Sequence, residues 1–449
     1  MTVADRSSNR PPADPSGPCF EDNEDALENG DRPFTPGTAR AAFSHETFRA
    51  IYLGALASNV GTWMQNVVLG AMAYDLTHSA VFVGVIGFAQ LGPLLLFSMV
   101  GGVLADAVDR KKLLVILTLE QAGFSAVLAL VAHGAHPNQA LLFFIVLLIG
   151  IGNALYAPVF SALLPALVPR EDISGAVSLN SVQMNASRVV GPAIGAVLYH
   201  QWGASWVFVL NALSYAAVIA VIMRVKLPDP PASGTQGLHR LLEGVRVARE
   251  DRVVGQVLVA IVVFSLLCLP FITQMPTIAS DHLGINPKSG AYGLLYASFG
   301  FGAVAGALSI GTVFASASMA KLTRVGFVGF AGLLLAFGLL RTAAAAYPVI
   351  FLLGCVYFAV ITSLSTVLQV DLDDAVRGKV MALWIMGFGG IVPFGGLAGG
   401  WLMERTSIQA VLAGGAVMAV ALAFVIDLRP RRSTTVADLP ATSPAPDVA

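Results

Sequence analysis

The sequence predicts an all-α membrane protein of twelve transmembrane helices in two six-helix halves, on three observations. The 449 residues are 56% hydrophobic and only 12% charged, with a mean hydropathy of +0.75, whereas soluble domains carry roughly 25% charged residues. Apolar segments of about 20 residues, the length that crosses a bilayer, follow one another along the chain. Lys and Arg gather on every second loop. The 26 basic and 27 acidic residues nearly cancel, so the chain has no basic footprint for nucleic acid. Cys19, Cys268 and Cys355 make neither a disulfide framework nor a zinc-ligand pattern.

The elements follow in order. Residues 1–47 hold nine acids against four basic residues and no apolar run of a signal peptide, which predicts a disordered cytoplasmic tail. The first half, 48–224, holds apolar segments near 50–74, 81–104, 113–132, 140–161, 176–198 and 205–223. The fifth is the least hydrophobic because Asn180, Gln183, Asn185 and Arg188 interrupt it, so it must face other helices or a water-filled cavity. A linker at 225–253 begins with Pro228, Pro230 and Pro231 and continues as a helix around 237–250. Arg240, Arg246 and Arg249 there suit either an ordinary linker or an anionic lipid surface. The second half, 254–428, repeats the pattern near 256–280, 290–313, 321–340, 347–368, 379–402 and 408–427. A Pro-, Thr- and Ala-rich tail, 429–449, closes the chain and is also expected to be disordered and cytoplasmic.

Orientation comes from the basic residues. With both tails in the cytoplasm, 22 Lys and Arg lie on that side and three, Lys288, Arg341 and Arg405, lie outside. The remaining one is Arg188. Several function classes drop out. No Gly-x-x-x-x-Gly-Lys-Ser/Thr occurs, so the chain has no phosphate-cradling loop of its own. Of seven histidines only His133 and His136 are close in sequence, which is no metal-ligand pattern. No metal and no cofactor are expected. Six plus six helices around a cytoplasmic linker is the layout of a secondary transporter, whose partners are a small organic substrate, protons and the lipid bilayer; a monomer is expected.

Two motifs sharpen this. Between helices two and three stands GGVLADAVDRKKLL, with Gly102, Asp106, Asp109 and Arg110. It resembles the G-x-L-a-D-x-x-x-R-[KR] signature of the major facilitator superfamily, with Ala107 where a basic residue is common and Asp109 where glycine is common. Helix five carries RVVGPAIGAVL, similar to the G-P-x-x-G-[GA] motif of that superfamily's antiporters. Gly191 and Gly195 form a small-x-x-x-small face, and Pro192 bends a helix whose neighbours can re-satisfy the backbone. Helix eleven echoes it in IVPFGGLAGGWL. With NALYAPVFSALLPALVPRED and DDAVRGKVMALW, these runs resemble the branch that holds enterobactin exporters and macrolide efflux proteins.

The resemblance implies the major facilitator fold, a conformational latch at Gly102, Asp106 and Arg110, and a central cavity lined by helices one, four, seven and ten. The residues it selects are Asn59, Trp63 and Asn66; Asn153, Tyr156 and Phe160; Phe264, Phe271 and Gln274; and Cys355, Phe358, Thr362 and Gln369. Aromatic walls with few polar anchors suit a molecule of drug or siderophore size. Two charges lie deep in the helices, Glu120 and Arg188. Intramembrane charge is costly, so Glu120 either carries a coupling proton or pairs structurally with Arg188. The expected function is export of a small organic molecule across the inner membrane by proton antiport. The alternatives are uptake of a vitamin or metal chelate by the same fold, and a transporter-like sensor without flux.

Overall fold

The computed structural model describes residues 34–134, 137–225, 237–314, 316–370, 372 and 374–428. The tails 1–33 and 429–449, the linker prolines, His136 and the side chain of Asp106 lie outside the described residues.

Twelve helical runs follow one another. The first half comprises α1 (Glu46–Thr77), α2 (Ala80–Leu91 continued by Pro93–Ala107), α3 (Arg110–His133), α4 (Gln139–Leu163), α5 (Ile173–Trp202) and α6 (Ala204–Arg224). A linker helix, Gly237–Glu250, leads to the second half. There α7 begins at Arg252–Val263 and runs on in short turns to Ile278–His282, followed by α8 (Gly290–Gly311), α9 (Met319–Leu339) and α10 (Ala343–Val370). The last two are α11 (Asp374–Ile385, then Val392–Arg405) and α12 (Ile408–Val425).

Local chemistry sets the starts. Side-chain oxygens of Ser79, Asp109, Asp251 and Ser407 accept from backbone N–H groups in the first turns of α2, α3, α7 and α12, the capping role these residue types favour. Asp109, the departure from the related loop signature, is therefore an N-cap. Among the described residues nine helices are long and apolar enough to span a membrane. They become ten if the linker helix and α7, which meet at 111°, form one broken span. α1 and α5 fall short of that apolarity. Asn59, Gln65 and Asn66 do for α1 what Asn180, Gln183, Asn185 and Arg188 do for α5; the sequence reading singled out only the fifth.

α7 and α11 are not continuous α-helices. A π-turn at Phe264–Cys268 precedes Pro270 in α7, and another at Met386–Gly390 precedes Pro393 in α11. A π-turn holds an extra residue, so the faces beyond it are rotated from those a uniform period gives.

The halves meet along α2–α11 and α5–α8. At the first crossing backbones nearly touch: a Cβ on Gly84 would lie 2.8 Å from Leu397 Cα and 2.9 Å from the Gly396 carbonyl. Polar bridges join the halves at the end of the bundle opposite the chain termini. Glu404 Oε1 accepts from Ser79 Oγ at 2.6 Å and Val81 N at 2.9 Å, Lys288 Nζ meets Asp75 at 2.5 Å, and Tyr74 donates to Asp281. Gln274 Nε2, wholly buried, donates to the carbonyls of Ala80 and Gly396, both at 2.9 Å.

At the terminal end a strap from Phe34 to His45 departs from the disorder expected of 1–47. It contains a short helix, Ala39–Ser44, capped by Thr38. Buried Asp172 accepts from Gly37 N at 2.9 Å and meets His45 Nε2 at 2.8 Å. Composition missed this because its anchor lies 127 residues further along the chain.

Candidate functional site

A cavity of about 300 Å³ lies between the halves, at the low end of the roughly 300–1,000 Å³ typical of small-molecule sites. α1, α2 and α5 supply Trp63, Asn66, Gln90, Asn185 and Arg188; α7, α8, α10 and α11 supply Thr273, Tyr296, Phe299, Tyr357, Phe358 and Phe388. Arg188 is the only charged side chain among the lining residues. Its guanidinium carbon stands 5.4 Å from the Trp63 ring centroid and 5.7 Å from that of Phe358, within cation–π range. Its Nε is buried with no hydrogen-bond partner.

The glycines of α5 put Arg188 there. A Cβ on Gly191 would lie 2.6 Å from Trp63 Cβ and 2.8 Å from the Val60 carbonyl, and one on Gly195 would lie 3.0 Å from Met64 Cα. The two backbones therefore touch, and this register sets Arg188 beside the Trp63 ring. Pro192 itself lines the cavity within a continuous α5.

Trp63, Asn66 and Phe358 line the cavity, while the other selected residues lie elsewhere. Asn59 is half-buried on α1, away from the lining set. Asn153, Tyr156 and Phe160 of α4 lie outside the lining set; Tyr156 and Phe160 stack on each other at 5.5 Å beside an apolar cluster containing Phe48 and Leu114. Phe264 and Phe271 are fully buried among Phe299, Phe327 and Phe330. Gln274 is the bridge described above. Between Phe264 and Gln274 the π-turn and Pro270 break the uniform helical period. On α10, the backbone of Cys355 abuts Gly306, the carbonyl of Thr362 accepts from Thr366, and exposed Gln369 bonds Ser365.

Sequence reasoning missed Gln90, Tyr296, Phe299 and Tyr357 as lining residues and left Asn185 between a helix contact and the cavity, which it lines. Gln90 had a signal, being the lone amide in VFVGVIGFAQLGPLLLF, and it donates to Asn66. The aromatics had none, since α8 and α10 also use aromatic rings for packing.

Glu120 and Arg188 do not form the anticipated structural pair. Glu120 Oε2 is buried without a partner, and its carboxylate fills the space a Cβ on Gly152 would occupy. Nearby, α1, α3 and α6 share a buried polar seam. Thr62 Oγ1 and Tyr215 Oη lie 2.9 Å apart, and Gln65 Oε1 accepts from Ser125 at 3.1 Å and Asn211 at 2.9 Å. At the loop motif, close approach falls on Gly101, whose Cβ would meet the Leu155 carbonyl at 2.7 Å; beside Gly102 nothing lies within 4 Å. Arg110 is buried, and Lys111 Nζ donates to the Met223 and Val225 carbonyls at the end of α6. Among the described residues no three His, Cys, Asp or Glu cluster as metal ligands.

Residues 37–449 match the family model described as transmembrane secretion effector. The chain is 27% identical over 350 residues to an enterobactin exporter of Shigella boydii, covering 76% of this chain and 81% of that protein. The same figures hold for an enterobactin exporter of Escherichia coli. Among solved structures it is similar to the nucleoside transporter NupG, with a TM-score of 0.66 at 14% identity, covering 84% of this chain and 98% of that one. It is also similar to a D-xylose–proton symporter, with a TM-score of 0.67 at 14% identity, covering 84% and 96%. These two likenesses show the fold.

Proposed function

This chain belongs to the transmembrane secretion effector family of the major facilitator superfamily, and on that premise we propose that it is a proton-coupled exporter. Its cargo is a small organic molecule, a siderophore or a drug-like compound, moved outward across the inner membrane. The observation that carries this reading is the cavity between the halves, bridged shut at the end opposite the termini. With the termini in the cytoplasm, as the basic residues require, the bridged end faces outward. A cavity sealed outward is where an exporter loads. The enterobactin exporters among its relatives favour that direction and cargo class.

Opening outward must undo the bridges at that end. The exposed Lys288–Asp75 pair contributes about 0–1 kcal/mol, and each hydrogen bond about 0.5–1.5 kcal/mol. The total is a few kcal/mol, a gap that differential binding of substrate and proton can span. Glu120 is the proton carrier of this reading. Its carboxylate lies outside the lining set, and the seam through Tyr215, Thr62 and Gln65 ends on α1, which also carries Trp63 and Asn66. Proton and cargo would then act on one helix from different sides.

The test compares cellular accumulation of candidate siderophores and drugs with and without the protein, and with and without an uncoupler. Lower accumulation that disappears with the uncoupler is expected. Higher accumulation would refute export, and a difference that survives the uncoupler would refute proton coupling.

A further inference from the structure

Arg188 presents an unsolved charge. A guanidinium taken out of water costs several kcal/mol unless it is paired and hydrogen-bonded. Cation–π contact with Trp63 and Phe358 returns only part of that cost. Among the described residues no acid lines the cavity, and Glu120 makes no ion pair with Arg188, its Oε2 being without a hydrogen-bond partner. The neutral neighbours make no hydrogen bond to it: Gln90 donates to Asn66, and Asn185 donates to the Ser181 carbonyl at 2.9 Å. A planar fork of N–H donors is thus held between rings from both halves, with Nε unbonded.

We propose that Arg188 makes the cavity an anion site, and that its ligand is an organic oxyanion, a carboxylate or phenolate, borne on a planar apolar body. A carboxylate accepts two parallel, charge-assisted N–H bonds from a guanidinium, and these are roughly twice as strong as bonds to a neutral acceptor. The apolar body follows from the walls, where Tyr296, Phe299, Tyr357 and Phe388 surround the charge. Because the rings flanking Arg188 come from α1 and α10, an anion seated there touches both halves at once and binds differently when they move apart. This proposal rests on the transport reading for the role of the cavity, but its test reads binding alone.

The probes are 2-naphthoate, 2-naphthamide and 2-naphthamidine, which share shape and differ in charge. Binding to the full chain is followed by quenching of tryptophan fluorescence and by calorimetry, in nanodiscs of phosphatidylcholine alone and with one part in three phosphatidylglycerol. In phosphatidylcholine, naphthoate is expected to bind at least tenfold more tightly than the amide, and the amidine more weakly still. Arg188→Gln should bring acid and amide within twofold of each other, and Arg188→Lys should keep a reduced preference. Asn185→Asp, which places a carboxylate one turn from Arg188, should weaken naphthoate at least tenfold in a folded protein. Equal binding of acid and amide by the unaltered chain overturns the proposal, as does binding of none of the three. So does an acid preference that survives Arg188→Gln. Competition by phosphatidylglycerol that abolishes naphthoate binding would assign the site to a lipid headgroup and overturn an organic substrate. Should Arg188→Gln fail to fold, the three-probe comparison and Asn185→Asp still decide. A confirmed anion preference without flux in proteoliposomes would sink the exporter reading and leave this one standing.

Discussion

Gln274→Met removes a bridge between the halves while keeping side-chain length and volume. The amide is completely buried and makes three hydrogen bonds. Nε2 donates to Ala80 and Gly396, both at 2.9 Å, and Oε1 accepts from Thr277 at 3.0 Å. Each contributes roughly 0.5–1.5 kcal/mol net. Two lie within the second half and persist in any arrangement of the halves, so their loss lowers overall stability by about 2 kcal/mol. The third, to Ala80, crosses between halves and exists only while this end is shut. Its loss disfavours the shut state by about 1 kcal/mol, which is about fivefold in the equilibrium between shut and open. Spin labels at exposed Gln139 and Thr406, on opposite halves at this end, would report that equilibrium by pulsed electron–electron resonance. The long-distance population should grow about fivefold relative to the short one. An unchanged distribution in folded protein would refute the bridge as part of the gate.

Glu120→Gln should abolish net transport driven by a pH step while leaving counterflow of bound cargo measurable in proteoliposomes; intact pH-driven transport would remove Glu120 from coupling. Gly152→Ala should destabilise the first half by about 1–3 kcal/mol, an ordinary overpacking cost, because its Cβ would overlap the Glu120 carboxylate. Thermal unfolding should recover when Glu120→Ala is added, and no recovery would mean that the two side chains do not compete for that space. Asp172→Ala removes the bonds to Gly37 and His45, about 1–3 kcal/mol of local stability. Limited trypsin digestion at exposed Arg40 should quicken several-fold, and an unchanged rate would rule Asp172 out as the anchor of the strap.

The helical architecture was legible because its signals are local. A span must be about 20 residues long, basic residues collect on alternate loops, and polar residues inside a span must face inward. Placement around the cavity is not local. Asn153, Tyr156 and Phe160 share one stripe of α4, but its rings pack against the apolar cluster of Phe48 and Leu114 instead. Phe264, Phe271 and Gln274 follow a period that a π-turn interrupts, and nothing in FSLLC announces that turn. Because intramembrane charge is costly, the sequence leaves Glu120 either a coupling proton or a pair with Arg188, and the pair does not form. Instead rings from both halves flank the arginine, and Gly152 leaves room for the glutamate, whose Oε2 has no hydrogen-bond partner. The strap was invisible for the same reason, since it depends on an aspartate beyond α4.

The α2–α11 crossing has a mechanical consequence. Most packed helices interlock, each side chain seated in a gap of its neighbour, and turning one past the other means lifting those teeth out. At Gly84 and Gly400 there are no teeth to lift, and the two backbones lie against each other as smooth cylinders. The joint behaves as a bearing: it holds its axis under load yet resists rolling weakly. It sits at the shut end, beside the bonds of Gln274 and Glu404, so those bonds act as the catch and the glycines as the pivot. Even a methyl group at Gly84 would put grit in that bearing.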